Sequence, residues 1–169
     1  FCNIHRELMK DKFKNIEEKV KELGFNVNSK DFKRPWGGFL VIDENQSKKF
    51  INCFFKNLDM SLITDGLKLS PKILIVKPKS RLSWQYHFRR SEIWKVYEGK
   101  VAVVRSDNDS ENLPEIFSKG SLITLKKGER HRLIGLDDYG VIAEIWQHID
   151  TENPSDEDDI VRVQDDYGR

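Results

Sequence analysis

Several features that would mark common classes of protein are missing from this chain of 169 residues. No stretch approaches the roughly 20 apolar residues of a membrane-spanning helix, and no apolar run follows the N-terminus as a signal peptide requires. Cys2 and Cys53 are the only cysteines, far apart and outside any Cys-x-x-Cys pattern. These absences predict no membrane partner and no disulfide framework, and they favour a reduced, cytoplasmic location.

An excess of charge of one sign is also missing: 29 Lys and Arg residues balance 28 Asp and Glu residues, for a net charge of +1. A protein dedicated to nucleic acid usually carries a clear basic excess, so we expect no nucleic-acid partner. The sequence has neither an internal repeat nor a Gly-rich phosphate loop. Its content of 38% hydrophobic and 11% aromatic residues is sufficient to fill the core of one domain.

Residues 1–33 predict a helical arm. Apolar side chains recur with helical spacing from Ile4 to Leu23, and Gly24 is placed to end the helix. Glutamates interleave with the lysines of this segment, which disfavours binding to a membrane surface. We therefore expect this amphipathic helix to pack on the rest of the domain or on a second subunit.

Residues 34–169 predict a β domain. After Pro71, short runs rich in β-branched residues follow one another and are separated by glycine or proline. Many short strands with frequent turn signals are typical of a sandwich or barrel. The last twenty residues carry eight acidic side chains, which predicts a solvated acidic tail. Residues 39–70 receive no functional role from the sequence.

Two segments of the predicted β domain carry the side chains best suited to chemistry. Gln85 and His87 are two residues apart, so they face the same side of a strand. Glu92 lies beyond a predicted turn, and a neighbouring antiparallel strand could bring it beside them. His131 comes from a later segment. An amide, two imidazoles and a carboxylate inside a small barrel would form a divalent metal site with open positions for a substrate.

This two-part pattern resembles the cupin signature. Four residues separate His87 from Glu92, six separate Glu92 from Gly99, and two separate Gly128 from His131. The resemblance implies an all-β fold, the cupin double-stranded β-helix (jelly-roll) barrel, here with an N-terminal helical extension. The sequence departs from the general cupin letters at several positions, among them Gln85 in place of His, Lys126 in place of Pro and Gly135 in place of Asn.

A narrower resemblance covers most of residues 34–169. The segments 34–37, 81–87, 89–94 and 128–133, together with the ending at 157–169, are similar to the cupin domain of type II mannose-6-phosphate isomerases. That domain also forms the C-terminal part of bifunctional mannose-1-phosphate guanylyltransferases. Gln is the usual letter in the Gln-x-His pair of that family. The guanylyltransferase part has no counterpart in this sequence.

The resemblance implies a metal-dependent isomerase that interconverts an aldose phosphate and a ketose phosphate, with mannose 6-phosphate and fructose 6-phosphate as the favoured pair. The cofactor would be a divalent metal ion (Zn, Mn, Fe, Co or Ni), because nitrogen and oxygen donors accommodate all five. Its ligands would be Gln85, His87, Glu92 and His131. The partner would be a small-molecule sugar phosphate, and by analogy with other cupins we expect a homodimer.

Arginines next to the implied ligands are candidates for binding the substrate. Arg81, Arg89 and Arg90 could bind the phosphate, because the planar guanidinium matches its oxygens. The resembling family has arginine at the positions of Arg90 and Arg132, which makes these two the favoured catalytic arginines. Candidates for the catalytic base lie on one face of a late strand, namely Glu144 and His148.

Other functions fit the same resemblance. A cupin could bind a sugar or sugar phosphate without catalysis and act as a sensor, since one fold supports many activities. Some stand-alone chains of this kind are labelled phosphoheptose isomerase, so a heptose phosphate is an alternative substrate. An epimerase or dioxygenase is a third alternative, although oxygenases typically use more imidazoles than this sequence offers.

Overall fold

A computed structural model describes residues 2–64 and 66–169 of the chain. In the first helix the side chains of residues 2, 3 and 5–11 lie outside the described part, including those of Leu8 and Met9, which belong to the predicted apolar face. Within the described residues, none of the helices combines the length and the apolar character needed to cross a bilayer.

The described chain contains two α-helices, α1 (Cys2–Glu22) and α2 (Ser47–Phe54), and two short 3-10 helices, Glu44–Gln46 and Met60–Leu62. The strands in chain order are β1 (Val27–Arg34), β2 (Gly37–Ile42), β3 (Lys72–Val76), β4 (Trp84–Tyr86), β5 (Arg90–Glu98), β6 (Lys100–Ser106), β7 (Glu115–Ser118), β8 (Leu122–Leu125), β9 (Arg130–Gly135), β10 (Gly140–His148) and β11 (Val161–Gln164).

These strands form two antiparallel sheets packed face to face. The larger sheet has the order β1-β2-β3-β10-β5-β8, and the smaller has the order β11-β4-β9-β6-β7. Residues of both sheets share one apolar cluster, to which Trp94 and Ile142 contribute from the larger sheet and Val103 and Leu133 from the smaller. The all-β jelly roll with an N-terminal helix is thereby confirmed.

A second apolar layer covers the outer face of the larger sheet. Phe13, Ile16 and Val20 of α1 and Phe50 and Phe54 of α2 are buried in it. Residues 39–70 thus contribute part of the core. The expected boundary after residue 33 falls within β1, which pairs with β2, so the N-terminal segment is continuous with the sheet.

The two layers explain why every residue of β10 is buried. Alternate side chains of a strand point to opposite faces, so Val141, Ala143 and Ile145 enter the outer layer. The intervening residues, including Glu144, face the space between the sheets. Strand β10 therefore places the carboxyl group of Glu144 in the interior of the barrel.

Part of the acidic C-terminal segment is packed rather than solvated, contrary to the prediction from its composition. Strand β11 pairs with β4 at the edge of the smaller sheet. Asp159 is 5% exposed, and its carboxylate accepts hydrogen bonds from the backbone N–H groups of Phe88 and Arg89, both at 3.0 Å. These bonds fix the segment beside the turn that follows β4.

Candidate active site

Three strands bring the predicted metal ligands together. Gln85 lies on β4 directly opposite His131 on β9, and His87 follows β4 by one residue. The backbone N–H of Gly128 donates to the carbonyl oxygen of His87 at 3.0 Å, which joins the two sequence motifs. Glu92 projects from β5 in the facing sheet. Residues far apart in sequence therefore meet between the sheets.

His87, Glu92 and His131 form a compact, buried donor cluster whose potential ligand atoms all lie within 4.8 Å of one another. The Nε2 of His87 is 3.4 Å from Oε1 of Glu92, and the Nε2 of His131 is 3.6 Å from Oε2 of the same carboxylate. Each of these side chains is at most 3% exposed. The cluster is thus shielded from bulk water.

Backbone carbonyls fix the orientation of both imidazoles. The Nδ1 of His87 lies 2.7 Å from the carbonyl oxygen of Asp159, and the Nδ1 of His131 lies 3.0 Å from that of Glu129. A carbonyl oxygen only accepts, so each Nδ1 carries the proton and each Nε2 presents a lone pair toward Glu92. A hydrogen bond at the far nitrogen is the usual way in which a metal-binding histidine is held.

The protonation states of His87 and Glu92 are also those of metal ligands. Burial lowers the pKa of His87 to about 4, an effect that the nearby Glu92 carboxylate only partly offsets, so the ring is neutral at neutral pH. Burial alone would raise the pKa of Glu92, but the positive charge of Arg90, which donates a hydrogen bond to Oε1, reverses the direction and holds the pKa well below its ordinary value. Neutral imidazole and ionised carboxylate are the forms that bind metal ions.

The donor cluster fits a divalent metal ion. Within the described part of the chain, the buried Nε2 of His131 has no hydrogen-bond partner, and leaving such an atom unpaired is unfavourable unless something else binds it. Two imidazole nitrogens and a carboxylate leave further coordination positions for a substrate, as in other catalytic sites. His87, Glu92 and His131 are the residues that would hold the ion.

A cavity of about 480 Å³ opens beside the cluster, and Gln85 and Glu92 are among its lining residues. Its size lies in the range typical of small-molecule sites. The wall carries the rings of Trp94 and Trp146. Its basic residues come from the larger sheet and from the C-terminal segment: Arg34, Lys72, Arg90, Arg162 and Arg169.

Glu144 is a buried carboxyl group in the wall of this cavity. Its Oε2 accepts a hydrogen bond from the indole N–H of Trp94 at 2.8 Å, and its Oε1 accepts one from Trp146 at 2.9 Å. Burial and then the charge of Glu92 raise the pKa of Glu144 to about 7. A carboxyl group with this pKa can both accept and release a proton near neutral pH.

Arg90 connects the cluster to the C-terminal segment. Its Nε donates to Oε1 of Glu92 at 2.8 Å, and a terminal nitrogen donates to Nε2 of His87 at 3.1 Å. Its other terminal nitrogen donates to Oγ of Ser155 at 2.9 Å, and the guanidinium carbon lies 3.6 Å from the ring centroid of Trp146. An N–H group of Arg90 therefore points to the lone pair on Nε2 of His87, which is the lone pair that a metal ion would bind.

Comparison with known protein families decides the identity of this domain. Residues 54–165 match the family described as Mannose-6-phosphate isomerase C-terminal. The chain belongs to this family. The resemblance stated from the motifs is confirmed, and the match includes the whole donor cluster and the cavity-lining residues of β3, β5 and β10.

Relatives of this domain include much longer proteins. The xanthan biosynthesis protein XanB of Xanthomonas campestris pv. campestris strain B100 is 29% identical over 167 residues, which is 98% of this chain and 29% of XanB. The polyketide synthase CurC of Streptomyces cyaneus is 29% identical over 108 residues, which is 57% of this chain and 68% of CurC. The chain thus spans less than a third of XanB.

Solved structures of other proteins share the fold of this domain. The capsular polysaccharide assembling protein CapF from Staphylococcus aureus superimposes with a TM-score of 0.51 at 14% identity, over 82% of this chain and 34% of the CapF chain. Vicilin from Solanum lycopersicum gives 0.51 at 16% identity, over 78% and 33% of the two chains. At these identities the similarity concerns the fold alone.

Gln85, the fourth predicted ligand, lies beside the cluster but directs its amide nitrogen toward it. This nitrogen is 3.5 Å from Nε2 of His87, while the amide oxygen accepts a hydrogen bond from Oγ of Ser83 at 2.6 Å. An amide oxygen is the atom that ligates a metal ion, so ligation would require the Gln85 amide to rotate and break the Ser83 bond.

Replacing Gln85 with histidine is expected to strengthen metal retention. Imidazole is a better ligand than an amide for the divalent transition metals, and the substitution restores the general cupin letter. The metal content after dialysis against a weak chelator measures the effect. A Gln164→His variant, altered at an edge strand away from the cluster, is the matched control. Equal metal content in Gln85→His and the parent protein would count against Gln85 as a ligand position.

Two of the predicted phosphate-binding arginines bind the C-terminal segment and do not line the cavity. Arg81 donates to both carboxylate oxygens of Asp166, at 2.6 and 2.9 Å. Arg89 donates to the side chain of Asn153 at 2.7 Å and contacts Asp156 at 3.3 Å. Their guanidinium groups are already committed to protein partners, so their structural role is to attach this segment to the barrel.

Arg132 and His148, two of the predicted catalytic residues, also lie outside the cavity lining. Arg132 follows the inward-facing His131 and therefore points to the other face of β9, where its Nε donates to the carbonyl oxygen of Leu82 at 2.9 Å. The ring of His148 accepts a hydrogen bond at Nδ1 from the backbone N–H of Ser155 at 2.9 Å. Arg90 and Glu144 are the predicted catalytic residues that do line the cavity.

Some residues of this site could not be assigned to it from the sequence. Lys72 lines the cavity although it is distant from both motifs. Asp159 orients His87 through a backbone carbonyl, a contact that no residue type specifies. These positions depend on the register of β3 and on the course of the C-terminal segment, which sequence spacing does not reveal.

Proposed function

We propose that this domain is a metal-dependent isomerase that interconverts an aldose phosphate and a ketose phosphate, with mannose 6-phosphate and fructose 6-phosphate as the favoured pair. The observation that carries the proposal is the combination, in one cavity, of a three-residue metal donor cluster and a buried carboxyl group whose pKa is about 7. Membership of the mannose-6-phosphate isomerase family supports the choice of substrate.

The reaction moves a proton between C1 and C2 of the sugar through an enediol. A divalent ion bound by His87, Glu92 and His131 would supply the positive charge that favours the developing enediolate oxygen. The protein must then remove a proton from one carbon and return it to the other, and it must keep bulk water away from that exchange.

Glu144 is the group proposed to carry the proton. Its two oxygens are fixed by the indole N–H groups of Trp94 and Trp146, so the carboxyl group cannot rotate freely. In the ionised form it accepts the proton from the sugar carbon, and in the protonated form it returns the proton to the neighbouring carbon. A pKa near the working pH allows both steps.

Arg90 is proposed to hold the sugar oxygens. It is buried, and its guanidinium lies against Trp146. Most of its N–H groups donate to protein partners, but the terminal nitrogen that donates to Nε2 of His87 would be released when a metal ion took that lone pair. This nitrogen could then donate a hydrogen bond to a hydroxyl or enediolate oxygen of a substrate that reaches the cluster. The basic side chains of the lining, Lys72 and Arg162 among them, could bind a substrate that carries negative charge, and the same lining also carries the acidic side chains of Glu92, Glu144, Glu157 and Asp158.

The deciding experiment uses the metal-loaded protein and mannose 6-phosphate in deuterated water. We expect formation of fructose 6-phosphate that carries deuterium at C1 and, through the reverse reaction, deuterium at C2 of mannose 6-phosphate, both detected by NMR. Glu115→Gln, altered on the exposed strand β7, is the control variant and should behave as the parent. Binding without turnover across a panel of hexose and heptose phosphates would instead support a sugar-phosphate sensor.

A further inference from the structure

A buried lysine lies between the cavity of the donor cluster and a second, smaller cavity. Lys72 is the first residue of β3, pairs with Glu144 in the register of β10, and is 6% exposed. Its ammonium nitrogen is 4.6 Å from the ring centroid of Trp146 and 5.0 Å from that of Phe39. Strand and aromatic rings together fix the position of this cation.

Glu157, in the segment leading to β11, is the charge partner of Lys72. The two partners differ greatly in burial, since the Glu157 side chain is 68% exposed and the Lys72 side chain only 7%. An exposed carboxylate regains its hydration when it leaves such a pair, so releasing it costs little. Lysine, in contrast, is rarely buried without a partner. Glu157 is therefore the replaceable member of the pair.

The second cavity, of about 300 Å³, shares Lys72, Trp146 and Glu157 with the first. Lys68 and Ser70 are among its other lining residues. Because the shared residues include both members of the ion pair, the pair lies at the junction of the two cavities. An anion that took the place of the Glu157 carboxylate would occupy this junction and would face Lys72.

We propose that Lys72 binds the phosphate of the substrate and that the Glu157 carboxylate occupies Lys72 until the phosphate displaces it. The proposal rests on the function proposed above, since it assigns the phosphate site of the same sugar phosphate. A phosphate carries more negative charge and more acceptor oxygens than a carboxylate, so it competes well for a fixed ammonium group. Trp146 contacts both Lys72 and Arg90 and thus connects the phosphate site to the donor cluster.

A double-mutant cycle on Lys72 and Glu157 tests this competition by titration calorimetry, with fructose 6-phosphate and inorganic phosphate as the probes. Glu157→Gln removes the internal competitor, so we expect phosphate to bind about threefold to fivefold more tightly. Lys72→Met removes the cation and should weaken binding about 10-fold to 100-fold. In the Lys72→Met background, Glu157→Gln should no longer improve binding, because the two effects act on one contact.

The controls are Glu152→Gln, an exposed acid of the same segment, and Lys95→Met, a lysine of the same sheet that lines neither cavity. Neither should change phosphate binding. The affinity for unphosphorylated mannose should be the same in all variants. Because Glu157 lies at the surface, its variant keeps the test decisive even if Lys72→Met does not fold.

Two results would overturn the assignment: unchanged or weaker phosphate binding in Glu157→Gln, or a loss of binding in Arg162→Met while Lys72→Met binds normally. The second result would move the phosphate to the opposite side of the cavity mouth. If the cycle behaves as expected but no isomerisation occurs, the anion site stands and the proposed isomerase activity fails. If isomerisation occurs and the cycle shows no coupling, the isomerase stands and the role of Lys72 fails.

Discussion

Replacing His131 with alanine is expected to lower the affinity for a divalent ion more than about 100-fold, because loss of a group that merely supports a metal ligand already costs 10-fold to 100-fold. Turnover of mannose 6-phosphate should fall to the level of the metal-free protein. The reason is structural, since the Nε2 of His131 is one of three donors in the cluster and has no other partner in the described part of the chain.

Metal content after extensive dialysis and the dissociation constant for Mn²⁺ or Zn²⁺ measure this effect. The matched control is His148→Ala, which removes an imidazole of similar burial that bonds Ser70 and Ser155 instead of the cluster. The control should keep its metal. Full metal content in both His131→Ala and His87→Ala would show that these imidazoles are not ligands.

Circular dichroism and thermal unfolding distinguish loss of metal from loss of fold. The His131 ring contributes one hydrogen bond to a backbone carbonyl, at its Nδ1. Its removal leaves the strand pairs of β9 with β6 and β4 in place. We therefore expect the metal-free forms of His131→Ala and of the parent protein to unfold at similar temperatures.

The donor cluster could be predicted from sequence in part by local geometry and in part by the resemblance to the cupin motifs, which alone associates His131 with the other ligands. Gln85 and His87 share a strand face by alternation, whereas Glu92 reaches the cluster from β5 of the facing sheet and not from a strand paired with β4. The Gly99 position also follows from local physics. Its φ of 74° joins β5 to β6, and a side chain there would approach the carbonyl oxygen of Tyr139 to 2.4 Å.

The phosphate-binding residues could not be predicted in the same way. Proximity in sequence to a metal ligand favoured Arg132, but adjacent residues of a strand point to opposite faces, so the neighbour of an inward His131 points outward. The cavity receives its cations from other elements, such as Lys72 on β3 and Arg162 on β11. Only the three-dimensional register of the sheets brings these residues to the donor cluster.

The acidic C-terminal segment is a second case in which composition alone does not predict the structure. A run of carboxylates is usually solvated because each charge prefers water. Here Asp166 and Asp159 pair with groups of the barrel that lie more than 60 residues earlier in the chain, Arg81 and the backbone N–H groups of Phe88 and Arg89. Such long-range partners leave no pattern in the segment itself.

Replacing Glu144 with glutamine is expected to lower turnover by a factor of about 10² to 10⁴, the usual contribution of a positioned acid or base. Glutamine has nearly the same shape, although its NH2 group cannot accept a hydrogen bond from one of the two indole N–H groups, and the amide exchanges no proton near neutral pH. Metal content should be unchanged, since Glu144 lies outside the donor cluster. The readouts are kcat and the rate of deuterium incorporation at C1 of fructose 6-phosphate, with Glu115→Gln as the carboxyl-to-amide control and circular dichroism as the check of the fold.

The pH dependence provides a second, independent readout for Glu144. A base is active when ionised, so kcat/KM of the parent protein should rise as the pH rises through the pKa of Glu144, about 7 in the metal-free protein. A divalent ion nearby lowers this pKa, which places the rise at or below pH 7 in the loaded enzyme. The residual activity of Glu144→Gln should lack this rise. A rise of the same size in the variant would exclude Glu144 as the base.

The same pKa predicts how the stability of the metal-free protein changes with pH. The folded-state pKa of Glu144 lies above its ordinary value of 4.5, so the folded protein binds the proton more tightly than the unfolded chain. The resulting stabilisation is fully present below pH 4.5 and is lost as the pH rises through about 7. Urea unfolding across this range should therefore show a loss of stability in the parent protein that Glu144→Gln lacks. Because this measurement involves neither metal nor substrate, it tests the raised pKa of Glu144 independently of catalysis.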